Sequence, residues 1–302
     1  MTRPLVTVVI PNYNYARYLG QAVDSALAQT YDNREVVVVD NSSTDGSLDV
    51  LRGYGDRVRW FQQENLGQSG SRNRGIQESR GELVAFLDAD DVWLPDKLVR
   101  QVALFSDPDT GLVYSGYTIT DGALNPVEEV AASKRGRLLR AMALSAGWAT
   151  VIAGESTAVV RREVFDRVGL FDLDLSFSSG WDMWRRIACH FAIEVVEDPL
   201  TLYRQHSSNL HRNIELLERD KLKAIEKMFA DPDAAPVHGL WRRSYGAAHL
   251  MLSGSYLQVG RWPKAFSHAT RAALIWPPSV AYVAAYPLRH LRRRRGELGA
   301  TR

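Results

Sequence analysis

Three apolar runs in the first ninety residues each stop abruptly at a polar cluster, and this repeat constrains the fold more than any other feature. Leu5–Ile10 is almost entirely β-branched and ends at Pro11-Asn12-Tyr13-Asn14. Glu35–Val39 ends at Asp40 and a polar, glycine-containing turn over residues 41–46. Leu83–Leu87 runs straight into Asp88-Ala89-Asp90-Asp91. Near-continuous apolar runs of this length read as parallel strands buried on both faces. Helical spacing separates them: Tyr18-Leu19, Ala22-Val23 and Ala26-Leu27 recur on one stripe, Gly70–Ser79 reads as a helix, and Pro95 opens another that continues to about Phe105. Val58–Phe61 adds a short strand. Alternating β and α predicts an α/β fold with a mostly parallel sheet flanked by helices. Open sheets of this kind bind ligands beyond the carboxyl ends of their strands. The three polar ends are therefore expected to line one crevice.

The rest of the chain is less regular. Leu112–Ile119 and Ser156–Val160 read as strands, and Trp181–Phe191 as a helix with Trp184, Ile187, Ala188 and Phe191 on one face. From about Ile214 the pattern is helical, so a boundary is placed at 213, with a binding and catalytic domain over 1–213 and a helical C-terminal region over 214–302. Ala247–Leu257 and Lys264–Leu274 suggest one helical hairpin. The composition, 45% hydrophobic and 24% charged over 302 residues, is that of a folded protein. A net charge of +2 gives no whole-chain field for nucleic acid. The single cysteine, Cys189, excludes an intrachain disulfide and reads as a small buried hydrophobe.

No apolar stretch approaches the roughly 20 residues that span a bilayer. The apolar start is too short for a secretory signal, so the cytoplasm is the expected compartment. The tail carries Arg289 and Arg292–Arg295 behind Trp276, Tyr282, Val283 and Tyr286. That pairing suits peripheral contact with an anionic inner membrane face, at about 1 kcal/mol per basic residue.

Asp88-Ala89-Asp90 carries the chemical argument. Two carboxylates at the end of a buried strand are costly unless something pairs with them. A divalent Mg2+ or Mn2+ held jointly by phosphate oxygens does so. The same spacing also opens the site of aspartate-nucleophile phosphatases, where the first Asp attacks phosphorus. Those sites usually lie on the first strand, whereas two complete strand–helix units precede this one.

Four motifs in order carry a resemblance. Val8-Val9-Ile10-Pro11-Asn12-Tyr13-Asn14, Val38-Val39-Asp40-Asn41-Ser42-Ser43-Thr44-Asp45-Gly46, Asn65-Leu66-Gly67 with Ser71-Arg72-Asn73-Arg74-Gly75, and Phe86-Leu87-Asp88-Ala89-Asp90-Asp91 resemble the donor half of family 2 inverting glycosyltransferases. The likeness extends more loosely through Gly169-Leu170-Phe171-Asp172, Trp181-Asp182-Met183-Trp184 and Tyr203-Arg204-Gln205-His206. It covers about residues 1–210. It implies a GT-A fold, which is Rossmann-like, and a nucleoside-diphosphate sugar donor, most often a UDP sugar. By the same resemblance Pro11 and Tyr13 line the base pocket and Asp40 meets the uracil edge. Arg72 reaches base or phosphate, Asp88 holds the ribose or shares the metal, Asp90 binds the metal directly, and His206 approaches the metal or diphosphate. The second strand of the family commonly ends in two acids, and here the second is Asn41.

Inverting transfer needs a carboxylate to take the proton of the acceptor hydroxyl. Members often show Glu-Asp just before the position of Asp182, where this chain has Ser179-Gly180. Asp182 is then the nearest acid and the expected base, with Asp172 and Asp174 behind it. Its alternative is a first-turn carboxylate facing the helix dipole. Trp181 and Trp184 offer either an acceptor platform or core packing. The expected activity is metal-dependent sugar transfer to a hydroxyl of a glycan or lipid-linked acceptor. The missing acidic pair also admits a module that binds donor without turnover.

Overall fold

The computed structural model describes residues 3–145, 152, 154–206 and 213–284. Strands β1 (Val6–Asn12), β2 (Arg34–Asp40), β3 (Arg59–Gln62) and β4 (Leu83–Phe86) lie parallel in the order β3-β2-β1-β4. Asn12 pairs with Asp40 across β1 and β2, so the first two polar ends stop at one level. Alternation along β1 feeds two cores. Val6, Val8 and Ile10 face α1 (Ala16–Leu27), whose Leu19, Ala22, Val23 and Ala26 are fully buried. Val9 faces the opposite layer with Phe86 and Trp184. Helix α2 (Ser47–Arg52) follows β2, and α3 (Gly67–Glu78) precedes β4. A Cβ on Gly75 would fall 2.2 Å from Val9 Cγ1, so α3 approaches the sheet as closely as only glycine allows.

Beyond β4 come β5 (Val92–Trp93), α4 (Lys97–Val102), β6 (Thr110–Thr120), β7 (Pro126–Val130), α5 (Leu139–Leu144), β8 (Ala158–Arg161), α6 (Val164–Val168), α7 (Ser179–His190) and β9 (Ala192–Arg204). The sheet continues β4-β8-β6-β9-β5, with β7 beside β6. Strand β8 runs antiparallel to both β4 and β6, while β6 and β9 are parallel. The first four strands are thus parallel as expected and the second half is mixed. Because β8 is reversed, its entry, residues 155–157, arrives at the carboxyl end of β4.

Helix α8 (Ile214–Ala230) starts at an Asn213 cap, whose side chain accepts from Leu216 N–H at 3.0 Å. Helices α9 (Trp241–Gln258), α10 (Trp262–Ile275) and α11 (Ser279–Ala284) follow. Ala224, Ile225 and Met228 of α8 and Ala248 of α9 belong to the same cluster as Val9, Phe86 and Trp184. Full burial of Ile225 or Met228 contributes about 2 kcal/mol each. The helical region therefore shares its core with the sheet. The basic tail Arg289–Arg295 and Tyr286 lie outside the described residues.

Candidate active site

A cleft of about 650 Å³ opens over the carboxyl ends of the parallel strands, lined among others by Pro11, Tyr13, Asn41, Asp88, Asp90 and His206. Tyr13 is 45% exposed there, so its ring is open to the cleft. The neighbouring polar ends build its floor. Asn12 Nδ2 donates to Asp40 Oδ1 at 2.9 Å and to Ser43 Oγ at 3.1 Å, and Ser43 N–H donates to Asp40 Oδ2 at 3.0 Å. Asn41 Nδ2 donates to Asn65 Oδ1 at 2.6 Å, while its Oδ1 accepts from Gln63 Nε2 and the Leu66 N–H. Only an amide can do both, which accounts for Asn in place of an acid here. Asp45 accepts from the Ala16 and Ser47 N–H groups, both at 2.9 Å, so one carboxylate caps α1 and α2.

At the acidic end, Arg72 is 1% exposed and donates from Nη2 to Asp88 Oδ1 at 2.7 Å. Its Nη1 lies 3.0 Å from Glu155 Oε1, an ion pair not aligned as a hydrogen bond. Burial opposes the guanidinium charge, yet Glu155 and Asp88 hold its pKa above the usual value. Asp90 Oδ2 sits 3.0 Å from His206 Nε2. Burial, then the Asp88 charge, push the Asp90 pKa up, and His206 partly offsets this. The His206 ring stacks on Tyr18 at 5.1 Å and meets Tyr15 edge-on at 5.8 Å.

Arg204, at the end of β9, ties this corner together. Its Nε donates to the Asp90 carbonyl at 2.7 Å, Nη1 to Gly122 O at 2.8 Å and Nη2 to Gln21 Oε1 at 2.6 Å. Its guanidinium also lies 4.5 Å above the Tyr18 ring. The Arg204 N–H donates to Asp91 Oδ1, and burial followed by Asp90 and Asp88 raises the Asp91 pKa well above normal.

Five of the expected site residues, Pro11, Tyr13, Asp88, Asp90 and His206, meet in the cleft. Asp40 and Arg72 lie one layer beneath it. The Asp40 carboxylate is 0% exposed and occupied by Asn12 and Ser43, so it does not face the cleft as the sequence reading expected. Asp182 does not come to the cleft. It is 1% exposed, its Oδ1 accepts from Arg185 Nε and Nη2, and its Oδ2 accepts from Arg186 Nε at 2.9 Å. Arg185 continues to Asp231 and Arg186 to the Val168 and Leu170 carbonyls, so Asp182 pins α7 to its neighbours and is corrected here from base to structural anchor. Asp172 pairs with Lys227 and Asp174 with Lys223, both on α8. Trp184 and Trp181 are buried, 2% and 8% exposed, and act as core. Cys189 packs against that core, and burial pushes its thiol pKa up to about 11. The sequence reading missed Glu155 and the clamp made by Arg204.

A parallel sheet half continued by a mixed half, flanked by helices and opening one cleft over the carboxyl ends of its parallel strands, has the GT-A architecture of glycosyltransferases. Residues 7–169 match the family described as Glycosyl transferase family 2, and the chain belongs to that family. It is 36% identical over 218 residues to an uncharacterized glycosyltransferase of Nostoc sp., covering 68% of this chain and 66%, just under two thirds, of that protein. Among solved structures, it is similar to the mannosyltransferase PcManGT of Pyrobaculum calidifontis in complex with GDP-Man and Mn2+, with a TM-score of 0.64, 24% identity, and coverage of 96% and 84% of the two chains. TarS of S. aureus in complex with UDP-GlcNAc aligns with a TM-score of 0.59 at 15% identity, covering 88% of this chain and 90% of that one. The family assignment leaves the phosphatase alternative without support.

Proposed function

We propose that the chain is an inverting, divalent-metal-dependent glycosyltransferase. It moves a sugar from a nucleoside-diphosphate donor, with UDP as the nucleotide, to a hydroxyl of a glycan or lipid-linked acceptor. One observation carries the reading: Asp88, Asp90 and His206 share a cleft with the exposed ring of Tyr13. Tyr13 and Pro11 offer a face to the base, and the Asn12–Asp40–Ser43 hydrogen bonds hold the floor beneath it in place. Arg72 orients Asp88 beside the donor's ribose and diphosphate.

The acidic corner fits a metal ion on its own chemistry. Asp90 carries a carboxylate penalised by burial and by Asp88, which a cation would offset. Among the described residues no group of three or more His, Cys, Asp or Glu could hold an ion alone. The fit is therefore to Mn2+ or Mg2+ held by Asp90 and His206, with Asp88 alongside and the pyrophosphate completing the set. Such an ion, when bound, carries negative charge on the departing diphosphate.

The test is calorimetric titration of UDP with and without Mn2+, together with mass measurement of transfer over a panel of nucleotide sugars, for wild type and Asp90→Ala. A loss of at least about tenfold in Mn2+-dependent binding is expected on removing a charged ligand. Equal binding and turnover in both proteins removes the metal assignment. The pairing of Asp182 with two arginines favours a second reading, a module that holds donor without turnover. UDP binding with no product from any acceptor supports it.

A lipid-linked acceptor would suit peripheral contact with the inner face of a membrane. Among the described residues no helix is long and apolar enough to cross a bilayer. Helix α10 exposes Trp262 and Phe266, 58% and 64% accessible, with their rings 6.4 Å apart. Interfacial aromatics of this kind suit peripheral contact. Flotation with anionic vesicles should fall when both become Ser.

A further inference from the structure

We propose that Glu155 is the carboxylate that takes the acceptor's proton, occupying the volume that a side chain at position 180 would otherwise fill. This rests on the transferase reading above and supplies the base that Asp182 does not. The reversed direction of β8 brings residues 155–157 to the end of β4, where the Asp88 N–H donates to Ser156 Oγ at 3.0 Å. From there the Glu155 side chain turns under the first turn of α7. A Cβ built on Gly180 would lie 2.6 Å from Glu155 Oε1 and 2.8 Å from its Cδ. Residue 180 can be glycine because the carboxylate arrives from another strand, and no larger residue fits while Glu155 is there.

The position relative to the donor follows from Arg72. One guanidinium bonds Asp88 through Nη2 and faces Glu155 through Nη1, so the proton acceptor stands one side chain from the acid assigned to the donor. Among the described residues no other side chain donates a hydrogen bond to Glu155, which leaves its oxygens able to receive a proton. The side chain keeps 16% of its surface accessible, whereas Asp182 keeps 2%. Burial raises the proton affinity of Glu155 and Arg72 lowers it, with a net rise. The other nearby acids are spoken for: Asp172 and Asp174 by lysines, Asp91 by the Arg204 N–H.

In the step itself, the acceptor oxygen forms a bond to the anomeric carbon as the bond from that carbon to the diphosphate oxygen breaks. The electron pair leaves on the nucleoside diphosphate. The acceptor's proton passes to a Glu155 oxygen and from there to water, and the anomeric configuration inverts.

The experiment uses the full chain with Mn2+ and whichever nucleotide sugar the wild type turns over. Glu155→Gln should bind UDP within about twofold of wild type and transfer at least about a hundredfold more slowly, the low end of general-base contributions. Gly180→Asp placed in the Glu155→Ala background, where the volume is free, should recover at least tenfold of the lost kcat. A merely structural Glu155 would not be rescued by a carboxylate delivered from a different helix. Glu155→Gln with kcat within threefold of wild type, or with UDP binding lost together with kcat and no rescue by Gly180→Asp, overturns the assignment while leaving the transferase reading intact. A wild type that binds neither UDP nor GDP overturns both.

Discussion

Replacing Arg204 with Met should cost about 3 kcal/mol of stability and weaken donor binding at the same time. The side chain is 2% exposed and reaches three oxygens on three separate segments. The bonds to the Asp90 and Gly122 carbonyls are half-buried and charge-assisted, worth on the order of 1.5 kcal/mol each. The bond to Gln21 ends on an exposed residue and counts for about 0.5 kcal/mol. The stack on Tyr18 adds about 1 kcal/mol. Removing a buried cation returns about 1.5 kcal/mol of desolvation. Met keeps the aliphatic stem and so opens little cavity. In urea, with a slope of about 3 kcal/mol/M, the midpoint should fall by about 1 M. Freed from its anchor, the Asp90 peptide should also hold Mn2+ and UDP several-fold more weakly by calorimetry. A midpoint shift under about 0.3 M, with UDP affinity unchanged, would refute the view that Arg204 clamps the acidic corner.

Other outcomes follow from single contacts. Asp182→Asn should lose about 3 kcal/mol in urea unfolding by removing the buried negative charge that Arg185 and Arg186 share, yet keep the wild-type affinity for UDP in its folded fraction; a selective loss of kcat at unchanged stability would return Asp182 to the chemistry. Gly75→Ala should destabilise by at least about 2 kcal/mol, because its Cβ would meet Val9 Cγ1 at 2.2 Å and lift α3 from the sheet; a neutral effect on the urea midpoint contradicts that packing. His249, buried against His268, has its pKa pushed down to about 4 by burial, then by His268 and Arg271. The unfolded ring titrates near 6.5, so the unfolded chain binds more protons between those values. Stability should therefore fall as pH drops from about 6.5 towards 4, by at most about 1.4 kcal/mol per unit, and His249→Asn should flatten that slope in unfolding curves taken across the range.

The donor half was legible because its signals are local. Runs such as Leu83–Leu87 followed by Asp88 state both a buried strand and where its polar end falls, and the parallel order brings such ends together without further information. The meeting of Tyr13, Asp88 and Asp90 in one cleft was legible in this way. What failed depends on neighbours distant in sequence. Asp40 looks like any strand-end acid until Asn12, 28 residues away, is seen to cover it. Asp182 looks like a free first-turn carboxylate until Arg185 and Arg186 fold back onto it, a pairing that i,i+3 and i,i+4 spacing allowed but did not single out from solvent exposure. Glu155 has no periodic context at all. Only the antiparallel direction of β8, invisible in a strand of four residues, carries it to Arg72 and the carboxyl end of β4. The glycine at 180 was the one hint, an absence whose meaning needed the third dimension.

Since the inner faces of α8 and α9 complete the layer under Phe86 and Trp184, the C-terminal segment cannot serve as an interchangeable cassette. A chain cut at residue 213 would bare the outer side of α7 to water. Grafting this segment from one relative to another requires that Ala224, Ile225, Met228 and Ala248 travel as a matched set. Freedom to diversify is confined to outward positions such as Leu257, Val259 and Leu274.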